Sequence, residues 1–406
     1  MPNPRPRVLV TGIGAVTAVG VGVDALWSAA RAGRSGIGEA KLSRSGPNRV
    51  KLAAQVPDFE PTQHIEASRL TFCDRFTQLA IVAADEALAQ AGLSREEKLG
   101  SRTAVIIGTG VGGITTMEDL LYGEYVLKEK MPVFSVPRIM GNAAVGHVSI
   151  LYGCTGPSFA VTSACSSASQ AIGLGADFIR RGVVDRAIVG GSESSITAMN
   201  IRAWELLRVL TPNACRPFSA KRNGMVLGEG AAILVLESEQ LARARHAAPL
   251  AEVAGYGTSS DACDILRSDV VGAATAMEAA IADSGLSPAQ IDYVNAHGTG
   301  TVANDTVETE ALRRIFGNRL SILPVSSTKP IHGHTLGAAG AIELAITIMA
   351  MREGVAPPTI NWLGPDPNAE LDPVPNEARE VPIRAAMSNS FAFGGINSCL
   401  VVVPSE

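Results

Sequence analysis

Cys165 lies in the run Gly156-Pro157-Ser158-Phe159-Ala160-Val161-Thr162-Ser163-Ala164-Cys165-Ser166-Ser167-Ala168, which reads as a buried strand feeding straight into a helix that begins at Ser166. A thiol at such a junction is placed for nucleophilic attack. Small residues on both sides let a substrate approach the sulfur, and the helix start aims free backbone N–H groups and the positive end of its dipole at it. Both effects favour the thiolate. Free cysteine is also a common core filler, so this segment alone fits either a nucleophile or a buried structural thiol.

Two of the six histidines stand in glycine-rich segments: His297 in Asn295-Ala296-His297-Gly298-Thr299-Gly300-Thr301, and His334 in Lys329-Pro330-Ile331-His332-Gly333-His334-Thr335-Leu336-Gly337. One imidazole beside Cys165 would indicate a cysteine hydrolase with histidine as general base. Two indicate something else. Neutral imidazoles donating N–H bonds to one carbonyl oxygen stabilise an enolate, which decarboxylation of a malonyl thioester requires. Zinc is the competing use of a Cys/His/His set. A cysteine at a helix start between small residues suits acylation better than ligation, so no metal is expected. His64, His147, His246 and His332 read as surface or satisfied core residues. The segment Ser388 to Asn397 carries Gly394-Gly395, which either brings a backbone N–H close to a ligand or simply makes a tight turn.

The elements around these residues alternate. Strand-like runs at Val8 to Thr11, Thr103 to Ile107, Ser158 to Thr162, Arg186 to Val189 and Ala232 to Leu236 are interleaved with helical stretches such as Asp74 to Ala91, an α/β pattern. After the basic, surface-like Leu241 to His246 the pattern restarts, with a strand near Leu250 to Ala254, a helix over Ala273 to Ser284 and a strand at Asp292 to Asn295. The second half echoes the first. Ala104 to Gly110 resembles Tyr293 to Gly300, and the passage through Cys165 has a counterpart in Pro324 to Lys329 followed by Gly337 to Met351. Two halves are therefore expected, residues 1–248 carrying the cysteine and 249–406 carrying the two histidines. If they pack by pseudo-symmetry, strand C-terminal ends gather Cys165, His297 and His334 into one crevice. Ala356 to Pro375, rich in Pro and Asn, reads as a loop packed on the surface.

With 406 residues, 46% of them hydrophobic, the chain can bury a large core. A net charge of -5 leaves no basic stripe, which argues against a nucleic-acid partner. Six cysteines without C-x-x-C spacing read as reduced thiols. Met1 to Arg7 lacks the apolar stretch of a signal peptide, and no segment offers about 18 uninterrupted apolar residues. A cytoplasmic protein with no membrane span is expected.

In order along the chain, Val10-Thr11-Gly12-Ile13-Gly14, the Cys165 segment, Arg216-Pro217-Phe218, Gly228-Glu229-Gly230, Asn295 to Thr299, Ser327-Thr328-Lys329, Gly333-His334 with Leu336 to Gly340, and Phe393-Gly394-Gly395 resemble the elongating β-ketoacyl-[acyl-carrier-protein] synthases. These are type II condensing enzymes. The resemblance implies the thiolase-like fold, two pseudo-symmetric halves in a layered α/β/α/β/α arrangement. It implies that an acyl group moves from the phosphopantetheine of an acyl carrier protein onto Cys165, and that the enolate of a decarboxylating malonyl-carrier thioester then attacks it. Carried over by motif, His297 and His334 hold the malonyl thioester oxygen, and the N–H groups of Cys165 and Phe393 form the oxyanion hole. Lys329 is the active-site lysine and Glu343 its carboxylate partner. Asp305 and Glu308 give structural support. Thr299 and Thr301 bind the pantetheine arm, Phe393 gates the acyl pocket, and Val111 and Phe134 join the substrate-binding residues. A dimer is implied, homodimeric or with a related synthase-like chain, with Met131 to Pro137 in its interface. No cofactor is implied beyond the carrier's phosphopantetheine.

Three features depart from the family pattern. Ala392 replaces the glycine that usually leads the gate loop, and Ile396 a usual threonine. In the second mobile loop, Ser260 to Ser268, Asp264 stands where histidine is common. Ser68 to Asp74 is poor in the basic residues that meet an acidic carrier, which leaves Lys128, Lys130 and Arg208 as docking candidates. These departures suggest a specialised lipid, polyene or polyketide pathway. Two alternatives stand beside the synthase: a non-condensing thiolase-like acyltransferase, and a pocket-shaping subunit of a heterodimeric synthase.

Overall fold

Each half of the chain contributes five principal strands to the main sheet in one repeated order. In the computed structural model, which describes residues 6–44 and 46–405, the first half contributes β1 (Val8–Thr17), β2 (Thr103–Gly108), β3 (Ser158–Val161), β4 (Arg186–Glu193) and β5 (Gly230–Ser238). The second contributes β6 (Ala251–Ser260), β7 (Tyr293–Asn295), β8 (Val325–Ser326), β9 (Ala386–Ala392) and β10 (Ile396–Val403). Residues 1–5 of the expected leaderless N-terminus lie outside the described residues.

The first half runs β3-β2-β4-β5-β1 and the second β8-β7-β9-β10-β6, so third, second, fourth, fifth and first strands correspond. The pairing senses match as well: β2 is parallel to β3 and β4, with β5 and β1 antiparallel. Likewise β7 is parallel to β8 and β9, with β10 and β6 antiparallel. Two antiparallel pairs, Leu9 with Glu252 and Val10 with Ala251, join the half-sheets.

Five helices build the layers: α1 (Arg75–Gln90), α2 (Ser167–Arg180), α3 (Val270–Ser284), α4 (Val302–Phe316) and α5 (Ala339–Glu353). The two central ones, α2 and α5, pack on each other between the half-sheets. Helix α1 covers the outer face of β1 and β5, and α3 the outer face of β6 and β10, which gives α/β/α/β/α. Strands buried on both faces read as continuous apolar runs. In β5, Ala232, Leu234 and Leu236 face the central layer while Ala231, Ile233 and Val235 face α1, the two-residue period of a strand. Helix α5 is apolar almost all round because protein surrounds it. Asp74 caps α1 by accepting from the N–H of Phe76 at 3.0 Å.

One expectation fails. The strand before Cys165 is not buried: β3 ends the sheet, pairs only with β2, and is half-exposed along its length. The stretch from Ala356 to Pro375 is a loop, tied down by bridges from Thr359 to Pro375 and from Pro324 to Asp372. Among the described residues, no helix is long and apolar enough to cross a membrane.

Candidate active site

Both central helices are entered through the same elbow. A 3-10 turn at Ala164–Ser166 precedes α2, and one at Leu336–Ala338 precedes α5. Each opens on a non-glycine residue in the left-handed region, Ala164 at φ 48° and Leu336 at φ 45°. Such strain costs about 1–3 kcal/mol and persists where the surroundings over-determine it. In the first half the elbow presents Cys165. In the second it presents Gly337, where an added Cβ would stand 2.2 Å from the N of Gly110.

Cys165, His297 and His334 converge: the sulfur and one nitrogen of each ring lie within 4.8 Å of one another. His334 Nε2 stands 3.1 Å from Sγ, and the two rings meet edge to face at 5.3 Å between centroids. The second half's histidine is held by the first half's backbone. His334 N–H donates to Val226 at 2.7 Å, and its carbonyl accepts from Gly228 at 2.9 Å. The next residue of the Gly228-Glu229-Gly230 motif, Glu229, accepts a two-pronged bond from Arg75 and one from Ser194.

Lys329 sets the tautomer of His297. Its ammonium, fully buried, pairs with Glu343, donates to the His297 carbonyl and stands 3.4 Å from His297 Nδ1. An ammonium has no lone pair, so Nδ1 must accept and Nε2 carries the proton. For His334, Nδ1 has no partner. A buried lone pair is tolerated better than a buried orphan N–H, which places that ring's proton on Nε2, toward Sγ. Burial, with help from the Lys329 charge, holds both imidazoles well below the ordinary range, so both are neutral at pH 7. A carboxylate or carbonyl normally supports a metal-bound histidine. Here a cation occupies that place beside His297, and the donor set does not suit zinc.

The expectation of a resting thiolate is corrected. Burial pushes the Cys165 thiol up to about 12, against the pull of Lys329 and its own N–H. Desolvation outweighs the helix start, so the group rests as a thiol. Its alkylation by iodoacetamide, read by peptide mapping, is expected to climb roughly tenfold per pH unit from pH 6 to 9. A plateau below pH 8 would show an ionised resting sulfur. Cys263, the exposed cysteine, should label first.

The supporting carboxylates brace the loop that carries His297. Glu308 accepts from the N–H groups of His297 (2.8 Å) and Gly298 (2.7 Å) and from Asn389, and burial lifts it to about 7. Asp305 accepts from Gly300 and Phe218 and faces Arg222. Lys329→Met would strip the charge partner from Glu343 and the donor from the His297 carbonyl. The expected loss is about 3–5 kcal/mol in urea unfolding, and an unchanged midpoint would contradict a structural ion pair.

A cavity of about 110 Å³ opens on the sulfur and is lined by Cys165, both histidines, Thr299, Thr301 and Phe393, among others. The two threonine hydroxyls lie 2.9 Å apart, and Thr301 also caps α4. Neither the N–H of Cys165 nor that of Phe393 is spent on the backbone bonds of turns and loops among the described residues. Val111 and Phe134 do not line this cavity. They lie on the surface, 46% and 43% exposed, with Phe134 against Phe72. Arg208 follows the helix Ala198–Leu206 beside the cavity-lining Val209. Lys128 and Lys130 sit elsewhere, Lys130 on a separate crevice with Asp119 and Arg138. His64 and His246 are exposed, His147 is half-buried, and His332 is a core residue bonded to Thr328.

Gly394 and Gly395 take φ 84° and 66°, which makes the tight turn. Ala392 is in extended β9, a conformation any residue adopts, so its side chain adds no strain there. Sequence reasoning missed Trp204, which lines the cavity, and Glu193. Glu193 is buried and accepts from Gly110, Val111 and Gly337 and from the Thr109 hydroxyl. It sits where the second elbow turns into α5, and burial lifts its carboxyl to about 7 against the pull of these donors. A carboxylate at the end of the β4 run was the available signal. Trp204 had none.

A layered duplicated α/β fold with Cys, His and His at the crevice defines a condensing enzyme of the thiolase-like class. The family model described as Beta-ketoacyl synthase, N-terminal domain, matches residues 5–242, and that described as Beta-ketoacyl synthase, C-terminal domain, matches 250–362. The chain belongs to the β-ketoacyl synthase family. It is 44% identical over 396 residues to nodulation protein E of Rhizobium sp. (strain N33), covering 97% of this chain and 98% of that protein. It is 41% identical over 404 residues to 3-oxoacyl-[acyl-carrier-protein] synthase 2 of Staphylococcus aureus (strain COL), covering 97% of each. Its structure is similar to that of the ishigamide ketosynthase/chain length factor, with a TM-score of 0.95 and 34% identity over 99% of this chain and 100% of that one. The chain is an acyltransferase with a Cys165, His297 and His334 triad.

Proposed function

We propose that the chain elongates an acyl group borne by an acyl carrier protein. The observation that carries this is the pair of buried imidazoles within 4.8 Å of one buried thiol, with Lys329 behind His297 assigning the Nε2–H that faces it. In the first stage Sγ attacks the carrier thioester. Its proton ends on the departing pantetheine sulfur, and the N–H of His334 stabilises the developing thiolate. In the second stage the malonyl C–C bond breaks, carbon dioxide leaves, and its electrons form an enolate whose oxygen accepts from His297 and His334. The enolate carbon attacks the acyl-Cys165 carbonyl, whose oxyanion is held by the N–H groups of Cys165 and Phe393. Collapse expels the sulfur, which takes a proton from solvent. Thr299 and Thr301 bind the pantetheine arm, Phe393 gates the acyl pocket, and Arg208, Lys128 and Lys130 meet the carrier.

Residues 1–248 supply the nucleophile and 249–406 the imidazoles. A second chain, a copy or a related synthase-like subunit, covers the open edge of β3 and the exposed Val111, Val133 (89% exposed) and Phe134. Reduced thiols suit a cytoplasmic location. The departures at Ala392, Ile396 and Asp264, with the likeness to nodulation protein E and to the ishigamide enzyme, favour a specialised lipid, polyene or polyketide pathway. The test is an incubation of the purified protein with acyl-carrier and malonyl-carrier proteins. A β-ketoacyl carrier two carbons longer supports the reading, and transfer without elongation would favour the non-condensing alternative.

A further inference from the structure

Trp204 stacks on Phe393 with ring centroids 5.6 Å apart and planes 16° from parallel, and both rings line the cavity that holds Cys165. The two partners are anchored very differently. Trp204 rides on the helix Ala198–Leu206, which Thr197 caps by accepting from Asn200 and which Glu205 ties down through the N–H of Val50 and the Arg202 guanidinium. Phe393 leads into two glycines with positive φ, and beyond its own Gly395 N–H to Ala392 bond the turn is tied to the loop after β6, by Gly394 N–H to the Ile265 carbonyl and by Asp261 N–H to the Gly395 carbonyl, each 2.8 Å, rather than to a helix. A fixed ring thus holds a movable one.

We propose that Trp204 is a positioning residue that latches the Phe393 gate in the setting seen here, which favours condensation and restrains the admission of long acyl chains. The inference rests on the gating role proposed for Phe393. An offset aromatic stack of this kind biases the gate by about 2- to 12-fold toward the latched setting. Releasing it moves the two half-reactions in opposite directions. Loading of a long acyl group onto Cys165 needs the ring to swing away, whereas condensation needs the N–H of Phe393 held at the reacting carbonyl.

Single-turnover rates with a long-chain acyl carrier, then with malonyl carrier, are to be compared in the parent, Trp204→Ala and Trp204→Phe. In Trp204→Ala loading should rise by about 2- to 12-fold while condensation falls by a similar factor, and Trp204→Phe should sit near the parent. Rates that fall together, or both stay unchanged, would overturn the latch. Should Trp204→Ala fail to fold, indole emission of the parent decides. It should change on loading a long chain, and this change should vanish in Phe393→Ala, because Trp27 lies in the core and neither it nor Trp362 lines the cavity. An emission indifferent to loading would overturn the proposal. A parent that accepts no acyl group at all would overturn the condensing reading itself, and the latch with it.

Discussion

Cys165→Ala is expected to lower acyl transfer from the carrier by at least about 10⁴-fold, with the protein still folded. Of the first-half elbow Ala164–Ser166, Cys165 is the residue that lines the cavity, the Ser166 hydroxyl being turned to the carbonyls of Ser390 and Ile396, and the corresponding position in the second half is Gly337. Five of the six cysteines are buried, but Cys73, Cys154, Cys215 and Cys399 do not line the cavity. None of them can take over. Alanine also keeps the tight elbow, because a smaller side chain adds no clash. The measurement is intact mass after incubation with acyl carrier, where the variant should gain no adduct. An acylated Cys165→Ala protein would move the nucleophile elsewhere.

His297→Ala should separate the two half-reactions. His297 does not contact the sulfur as His334 does, so loading of Cys165 should stay within a few-fold of the parent. Condensation should fall by about 10²–10³-fold, the usual effect of deleting one donor from an anion-stabilising pair. The effect depends on the proton at Nε2, which Lys329 fixes from the other side of the ring. Both histidines are neutral at pH 7, held well below the ordinary imidazole range by burial and by Lys329. The condensation step should therefore show no titration of these rings between pH 6 and 8. A loading defect as large as the condensation defect would refute the enolate role.

Much of this was legible in the chain. The strand that ends at Gly108 and its counterpart that ends at Asn295 occupy the same place in the repeated strand order, as the echo of Ala104–Gly110 in Tyr293–Gly300 suggests. The convergence of Cys165, His297 and His334 also followed from that repeat, because equivalent strands end at one crevice. What stayed hidden depends on neighbours distant in sequence. The edge position of β3 could not be read, since its apolar run is the same whether one side or both are paired. The protonated state of Cys165 comes from total burial, which a helix-start argument does not weigh. The Trp204 stack joins residues almost two hundred positions apart, and the donors to Glu193 come from two separate loops.

The central claim is that a single sulfur carries the acyl group into a carbon–carbon bond formed beside two imidazoles. It is tested most directly by preloading the protein from an acyl carrier, adding ¹³C-labelled malonyl carrier, and quenching at intervals for peptide mass mapping. The adduct should map to Cys165 and disappear at the rate at which labelled β-ketoacyl carrier and carbon dioxide form. An adduct that maps to another residue, or that persists while product accumulates, would contradict the account.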